Sequence, residues 1–384
     1  RALASEPKTV LLDEPAAGAD APPRPGAGRA AAGPDRASPG AEDGSAVAGP
    51  PRRDLVLETA RGGRDELRIG VRFESEHEAS LLLTADLHRL LDLGGFTQLE
   101  ARLGEELHLE ARHRLRPAFA PGFLLGVRGG YRRSPVEARP SPGGSPERAA
   151  VEVGGASVLL GKLLGESGVA GLGVRAERFG LDPDAAGDGT GGDGTLVTVG
   201  ARLTWDSRDR VAFTGRGVRA DLRVEAAEEA VGSDRTLART WADVSAHLPL
   251  APGWVAYGRA TLGTTAGADP PPHRIFRLGG MVPSWVFPRH LLPLPGLPAG
   301  RLAGSHVQRT GTGLRVEVAE DVFVGGSWAA GDARSSWALR PGDWVHGVEL
   351  QLGVRTALGP VRLSLADATA AGGPRLAVDA GGRF

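Results

Sequence analysis

The chain has 384 residues, room for two ordinary soluble domains or one large barrel, and its formal net charge of -1 gives no reason to expect a nucleic-acid partner. It contains no cysteine, which excludes a disulfide scaffold and any thiolate metal site. No run reaches the roughly 18–20 apolar residues of a membrane-spanning helix, although a β-strand crosses a bilayer with only about 9–11 alternating residues.

The sequence starts at Arg1 without the basic start and apolar core of a signal peptide, so truncation or processing at this end is expected. From Ala16 to about Arg53 it is Ala, Pro, Gly and charge with almost no large apolar residue. Such a segment buries too little surface to offset its ordering entropy, and 21–64 is expected to be a disordered linker.

From Glu66 onward the texture changes to short alternating runs separated by Gly, Pro and Asp. Leu67, Ile69, Val71 and Phe73 alternate with Glu66, Arg68, Gly70 and Arg72. Leu107, Leu109 and Ala111 alternate with His108, Glu110 and Arg112, and Phe123, Leu125 and Val127 share a face opposite Arg128. Later, Val218, Ala220, Leu222 and Val224 oppose Arg219, Asp221, Arg223 and Glu225, while Val348, Leu350, Leu352 and Val354 oppose Glu349, Gln351 and Arg355. A period of two over whole runs predicts strands with one apolar and one polar face. Candidates fall at 65–76, 78–90, 97–103, 105–115, 122–132, 149–157, 168–179, 193–206, 212–227, 236–248 and 253–264. They resume, after a break of about forty residues that is too long for a turn, at 306–318, 321–330, 344–356, 359–367 and 373–384.

Alternation alone fits both a soluble sandwich, with its apolar face inside, and a membrane barrel, with that face in lipid. Three features point to lipid. Arg and Glu of both signs share the polar face, the runs exceed the common ~5–6 residues of soluble strands, and large aromatics are few. The fold class expected is therefore all-β: a transmembrane antiparallel β-barrel of about sixteen strands over 65–384, contacting outer-membrane lipid. A soluble all-β binding protein is the alternative.

The last strand places Leu376, Val378, Ala380, Gly382 and Phe384 on one face and ends on the aromatic. It resembles the signal that outer-membrane barrels present to their assembly machinery, which implies that machinery as a partner through Leu376, Val378 and Phe384. Trp205-Asp206-Ser207-Arg208-Asp209-Arg210-Val211-Ala212-Phe213-Thr214-Gly215-Arg216-Gly217 resembles the Asp-x-Arg-Asp…Phe-Pro-x-x-Gly hairpin of the BamA/TamA superfamily, the bacterial surface antigen barrels. Asp206, Arg208, Asp209, Phe213 and Gly217 are in register, and Thr214 replaces the usual Pro. That superfamily places a lumen-entering loop between strands eleven and twelve, where this chain has its long break. There Phe276-Arg277-Leu278-Gly279-Gly280 and Pro295-Gly296-Leu297 resemble the loop of barrels appended to patatin-like phospholipases, as Gly359-Pro360-Val361-Arg362-Leu363-Ser364 resembles their penultimate strand. The resemblance implies that a loop Arg pairs with an acid on the wall; the Arg-Gly-aromatic tripeptide is absent, and Arg277 is the counterpart expected, with a solvated loop cation the competing reading.

Residues 1–20, with Asp13-Glu14-Pro15 and Gly18-Ala19-Asp20, resemble the Walker B and D-loop of an ABC transporter ATPase. Phosphoryl transfer also needs a Gly-x-x-x-x-Gly-Lys-Ser/Thr loop, which the sequence lacks, so the fragment is expected to be inactive. A Gly-x-Ser-x-Gly nucleophile elbow is also lacking; Gly325-Gly326-Ser327-Trp328-Ala329 is the nearest approach and lies in a predicted strand. No catalytic, cofactor or metal residue is expected in this chain, although a longer product could carry a patatin-like hydrolase. The functions expected are anchor, translocator or assembly-type pore, with a secreted or tethered protein as possible passenger, in a Gram-negative outer membrane. A hydrolase built into the barrel is the other alternative, and it requires a Ser–His pair on the lipid-facing surface.

Overall fold

The computed structural model describes residues 65–74, 79–88, 95–117, 119–138, 147–181, 193–267, 270–281, 291–356 and 359–381. The fragment at 1–20, the linker at 21–64 and Phe384 lie outside them. Strands β1 (Glu66–Glu74), β2 (Ala79–Leu87), β3 (Gly95–Leu103) and β4 (Leu107–Leu115) open the barrel. The long strands follow: β5 (Phe123–Ala138), β6 (Glu147–Leu164), β7 (Gly168–Leu181) and β8 (Gly194–Asp206). Then come β9 (Gly217–Ala227), β10 (Leu237–Ala251) and β11 (Trp254–Ala266). An insertion carries three short strands, β12 (Phe276–Leu278), β13 (Leu291–Leu292) and β14 (Leu302–Gly304). The wall resumes with β15 (His306–Ala319), β16 (Val322–Arg334), β17 (Val345–Thr356), β18 (Gly359–Ala368) and β19 (Arg375–Gly381).

Sixteen of these strands form one closed antiparallel ring, β11 pairing with β15 and β19 returning to β1, while β12–β14 form a separate small sheet. Because sixteen is even, β1 begins and β19 ends at the same rim; the shortest connections lie at this near rim and the long insertion leaves from the far rim. Every candidate strand in the sequence corresponds to one wall strand. The ends differ where the chain leaves simple alternation. Strand β5 continues through Pro135, because β4 stops pairing at Arg133 and the proline sits on an edge where its missing N–H costs nothing. The strand expected from residue 212 begins at Gly217, because 207–216 turn inward instead.

The barrel is inverted relative to a soluble core. Leu67, Leu172 and Leu350 are 68%, 68% and 66% exposed on the outside, whereas Arg72, Arg128 and Glu349 are 8%, 8% and 7% exposed on the inside. Phe123, Trp205 and Trp254 ring the outer surface near the near rim, where amphipathic rings sit at a bilayer interface. Inside, ionic side chains pair diagonally across neighbouring strands. Arg68 meets Asp86, Arg128 reaches Glu110 (as does Arg112 from Glu110's own strand), Arg202 lies 2.6 Å from Asp221, and Arg259 grips Asp243 at 2.8 and 3.0 Å. Such pairing keeps charge affordable where the wall excludes bulk water.

Candidate functional site: a lumen closed by an insertion and an inward turn

Two segments enter the lumen. The first is the insertion between β11 and β15. Its Phe276, Leu278, Leu292, Leu294 and Leu297 form an apolar cluster with Trp241 of β10, Val307 of β15 and Ala329 of β16. Phe276 stacks on Trp241 at 5.9 Å, and the Arg239 guanidinium lies 4.5 Å from the centre of its ring. A Cβ on Gly263 would stand 2.5 Å from the Phe276 ring, so the wall is bare of side chains where the ring enters.

Buried charge fixes one side of the insertion. Arg274 is completely buried, its Nε donating to Glu177 of β7 at 2.9 Å and its Nη1 to Glu225 of β9 at 2.8 Å. The His273 ring nitrogen Nε2 lies 2.6 Å from the same Glu177 oxygen. Burial alone would depress the Arg274 pKa, but the two carboxylates more than offset it and hold it above the ordinary value. For His273 burial wins over Glu177, with the Arg274 and Arg132 cations adding to it, and its pKa falls below the usual range. The opposite side of the insertion docks on β17–β19: Arg375 Nε donates to the Gly296 carbonyl at 3.0 Å, and Gly296 and Gly347 leave room for backbone-to-backbone contact with Asp367 and Pro295. The insertion therefore spans the lumen from wall to wall.

Arg277, Leu278, Gly279 and Gly280 lie within the insertion. Leu278 is in its apolar cluster, and Gly279 and Gly280, at φ +136° and +83°, donate their N–H groups to Leu292 and Leu297 carbonyls at 2.8 and 2.7 Å. A Cβ on Gly279 would collide with the Pro298 carbonyl. The Arg277 side chain runs beside Gly300. Arg274, three residues before Arg277, makes a pairing with acidic wall groups of the kind expected of the loop Arg. Its partners are 97 and 49 residues away, so no local pattern marks it.

The second segment is the 207–216 turn, entering from the near rim. Arg208 binds Asp206 through Nε and Nη2 at 2.9 and 2.7 Å. The Asp209 carboxylate accepts the N–H groups of Gly215 and Arg216 at 2.9 and 3.2 Å. Gly217, at φ +112°, passes so close to Ser207 and Arg208 that a side chain would clash. In place of proline, the Thr214 hydroxyl closes the turn by donating to the Arg210 carbonyl at 2.8 Å. The five motif residues thus occupy one turn, and its product is the placement of Phe213. Held at φ +49°, Phe213 crosses to lie flat on Phe323 of β16 at 4.4 Å, in the slot left by Gly353 of β17. Between turn and insertion remains a cavity of about 270 Å³.

On β19, Leu376 is exposed on the outer face, opposite Leu365, and Val378 shares that face between Phe73 and Leu363. Among the described residues, β1 and β19 close the ring through five residue pairs, Gly70–Gly381 to Glu74–Ala377, and Arg72 meets Asp379 across the seam at 2.6 Å. Histidine hydrogen bonds run from His113 to Thr97, His273 to Glu177 and His306 to Thr264, none of them a Ser–His pairing.

These features define a transmembrane antiparallel β-barrel whose lumen is filled by its own chain. Residues 148–287 match the Omp85 superfamily domain. The fold is similar to that of BamA from Haemophilus ducreyi lacking POTRA domains 1-3, with TM-score 0.65 and 15% identity over 82% of this chain and 70% of that one. It is also similar to CdiB from Escherichia coli (TM-score 0.58, 11% identity) and CdiB from Acinetobacter baumannii (0.55, 10%), again over 82% of this chain. It spans 63% and 59% of those two chains. A comparison with curated protein sequences found no match.

Proposed function

We propose that this chain is an outer-membrane barrel of a Gram-negative bacterium that serves as a translocator or assembly-type pore of the Omp85 superfamily. The observation that carries the reading is the insertion tied across the lumen by Arg274 to Glu177 and Glu225. An inert anchor has no use for a wide barrel with a separate, polar-latched occupant; a gated passage does. In this reading the near rim faces the periplasm, Leu376, Val378 and Phe384 address the assembly machinery, and a protein passenger uses the lumen or the seam. The finer assignment, the barrel of a patatin-like protein, rests on motif resemblance and is tested by reading the coding sequence upstream of Arg1.

The functional test is conductance of the purified barrel in planar bilayers. The intact chain is expected to be mostly closed, and a chain with residues 270–304 replaced by a short Gly/Ser linker to open steadily. A replaced chain that folds but passes no ions would sink the pore reading. Lipid hydrolysis by the intact barrel would instead support the embedded-enzyme alternative.

A further inference from the structure

The lumen's arginines are mostly matched to carboxylates, but three that line the cavity between turn and insertion are not. Arg309 and Arg315 lie on β15 and Arg362 on β18. Two of the nearby acids are engaged with other arginines: Asp243 holds Arg259 at 2.8 Å and accepts the Thr261 hydroxyl at 2.7 Å, and Asp379 holds Arg72 at 2.6 Å. Glu349 accepts the Ser327 hydroxyl at 3.3 Å. Nε and Nη1 of Arg309 and Nε of Arg362 are buried without a hydrogen-bond partner. Arg315 donates to the Thr214 carbonyl, a neutral acceptor, and sits within electrostatic reach of Arg362. Both guanidiniums flank the Phe213 ring, at 5.8 and 5.9 Å.

Among the described residues none of the three is in a direct ion pair, although Asp243 and Glu349 attract Arg309 and Asp209 attracts Arg315 at longer range, and planar guanidinium forks match tetrahedral oxyanions. We propose that this cavity is a binding site for an oxyanion of the phosphate class, gripped by Arg315 and Arg362 beside Phe213, with Arg309 as a second cationic locus further along the same cavity. Arg309 and Arg315 are six residues apart, about 20 Å along a strand. One phosphate therefore engages the Arg315–Arg362 pair, and only an elongated polyanion reaches all three. The site rests on charge and geometry and stands whether or not the barrel moves protein.

Isothermal titration of the refolded full chain in zwitterionic detergent tests it, with inorganic phosphate titrated against chloride at matched ionic strength. Saturable phosphate binding is expected, weakened at least about tenfold in R315Q/R362Q through loss of charge-assisted hydrogen bonds. R133Q, which alters a half-exposed arginine paired with Glu152 on the outer face, should leave binding unchanged. Heat-modifiable gel migration reports whether each variant is folded. If the double variant fails to fold, R362K keeps the charge, loses the fork and should still weaken binding. Absence of saturable phosphate heat in the parent chain overturns the proposal, as does equal binding in the folded variants. Displacement by dissolved glycerol phosphate identifies an aqueous ligand, displacement by phosphatidic acid in mixed micelles alone identifies a lipid headgroup, and displacement by neither also overturns it.

Discussion

Replacing Arg274 by Ala should free the insertion without opening the barrel. The substitution removes the shared partner of Glu177 and Glu225, leaving His273 beside the first and Arg175, at 3.4 Å, beside the second, and removing one member of a buried ion pair costs about 3–5 kcal/mol. None of the wall's interstrand ladder passes through Arg274, so the penalty falls on docking of the insertion. At about 1.4 kcal/mol per tenfold, amides of Phe276–Leu278 and of Gly279 and Gly280 should exchange faster by roughly 10²-fold to several thousand-fold. Wall amides of β10 and β16 should hardly change. Hydrogen exchange read by mass spectrometry on the barrel in lipid nanodiscs separates the two sets. Neutralising Glu177 as well, in R274A/E177Q, should recover part of the protection, since part of the cost is the carboxylate left without its cation, while Glu225 keeps Arg175. Unchanged exchange in R274A, or a double variant as loose as the single one, would refute the latch.

The inverted wall predicts that Leu350→Arg, on the lipid face, costs about 2–4 kcal/mol in urea unfolding from vesicles if it lies near the bilayer midplane. Glu349→Gln, one residue away in the lumen, should cost less, and equal penalties would mean the faces are misassigned. A valine at Gly353 occupies the Phe213 slot and should expel the turn. With no native cysteine, a Thr214→Cys reporter, buried in the parent, should then label faster with maleimide, and an unaltered rate would count against the slot. His273 has a folded-state pKa below its unfolded value of about 6.5, so its stabilisation is present above that pH and declines as pH falls below it. Exchange at Phe276–Leu278, corrected for its intrinsic pH dependence, should quicken between about pH 7 and 5, and His273→Asn should flatten that trend.

Period-two patterning sufficed to place all sixteen wall strands, because each strand sees lipid on one side and a polar lumen on the other over most of its length. It faltered where that contrast lapses. Leu159 and Leu163 of β6 turn toward the interior to pack on Leu124 and Val169, which blurs the alternation and hid the last seven residues of a strand expected to stop at 157. The 207–216 turn was legible as a motif but not as a lumen element, since Phe213 gains its meaning from Gly353 and Phe323, more than a hundred residues on. In the insertion, β12 to β14 are two or three residues long, too brief for any period to register. Arg274 carries no local signature; the signal available was a pair of glutamates, Glu177 and Glu225, on the polar faces of β7 and β9.

Sequence separation sorts the interior's ion pairs into two generations. Arg68–Asp86, Arg128–Glu110, Arg202–Asp221 and Arg259–Asp243 join partners 16 to 19 residues apart, so each can form as soon as its own hairpin does. Arg274 waits for strands 97 and 49 residues upstream, and Arg72 must find Asp379 across 307 residues. A growing sheet would thus neutralise most of its charge locally while its ends are still apart, leaving the last contacts to signal that the circle is complete.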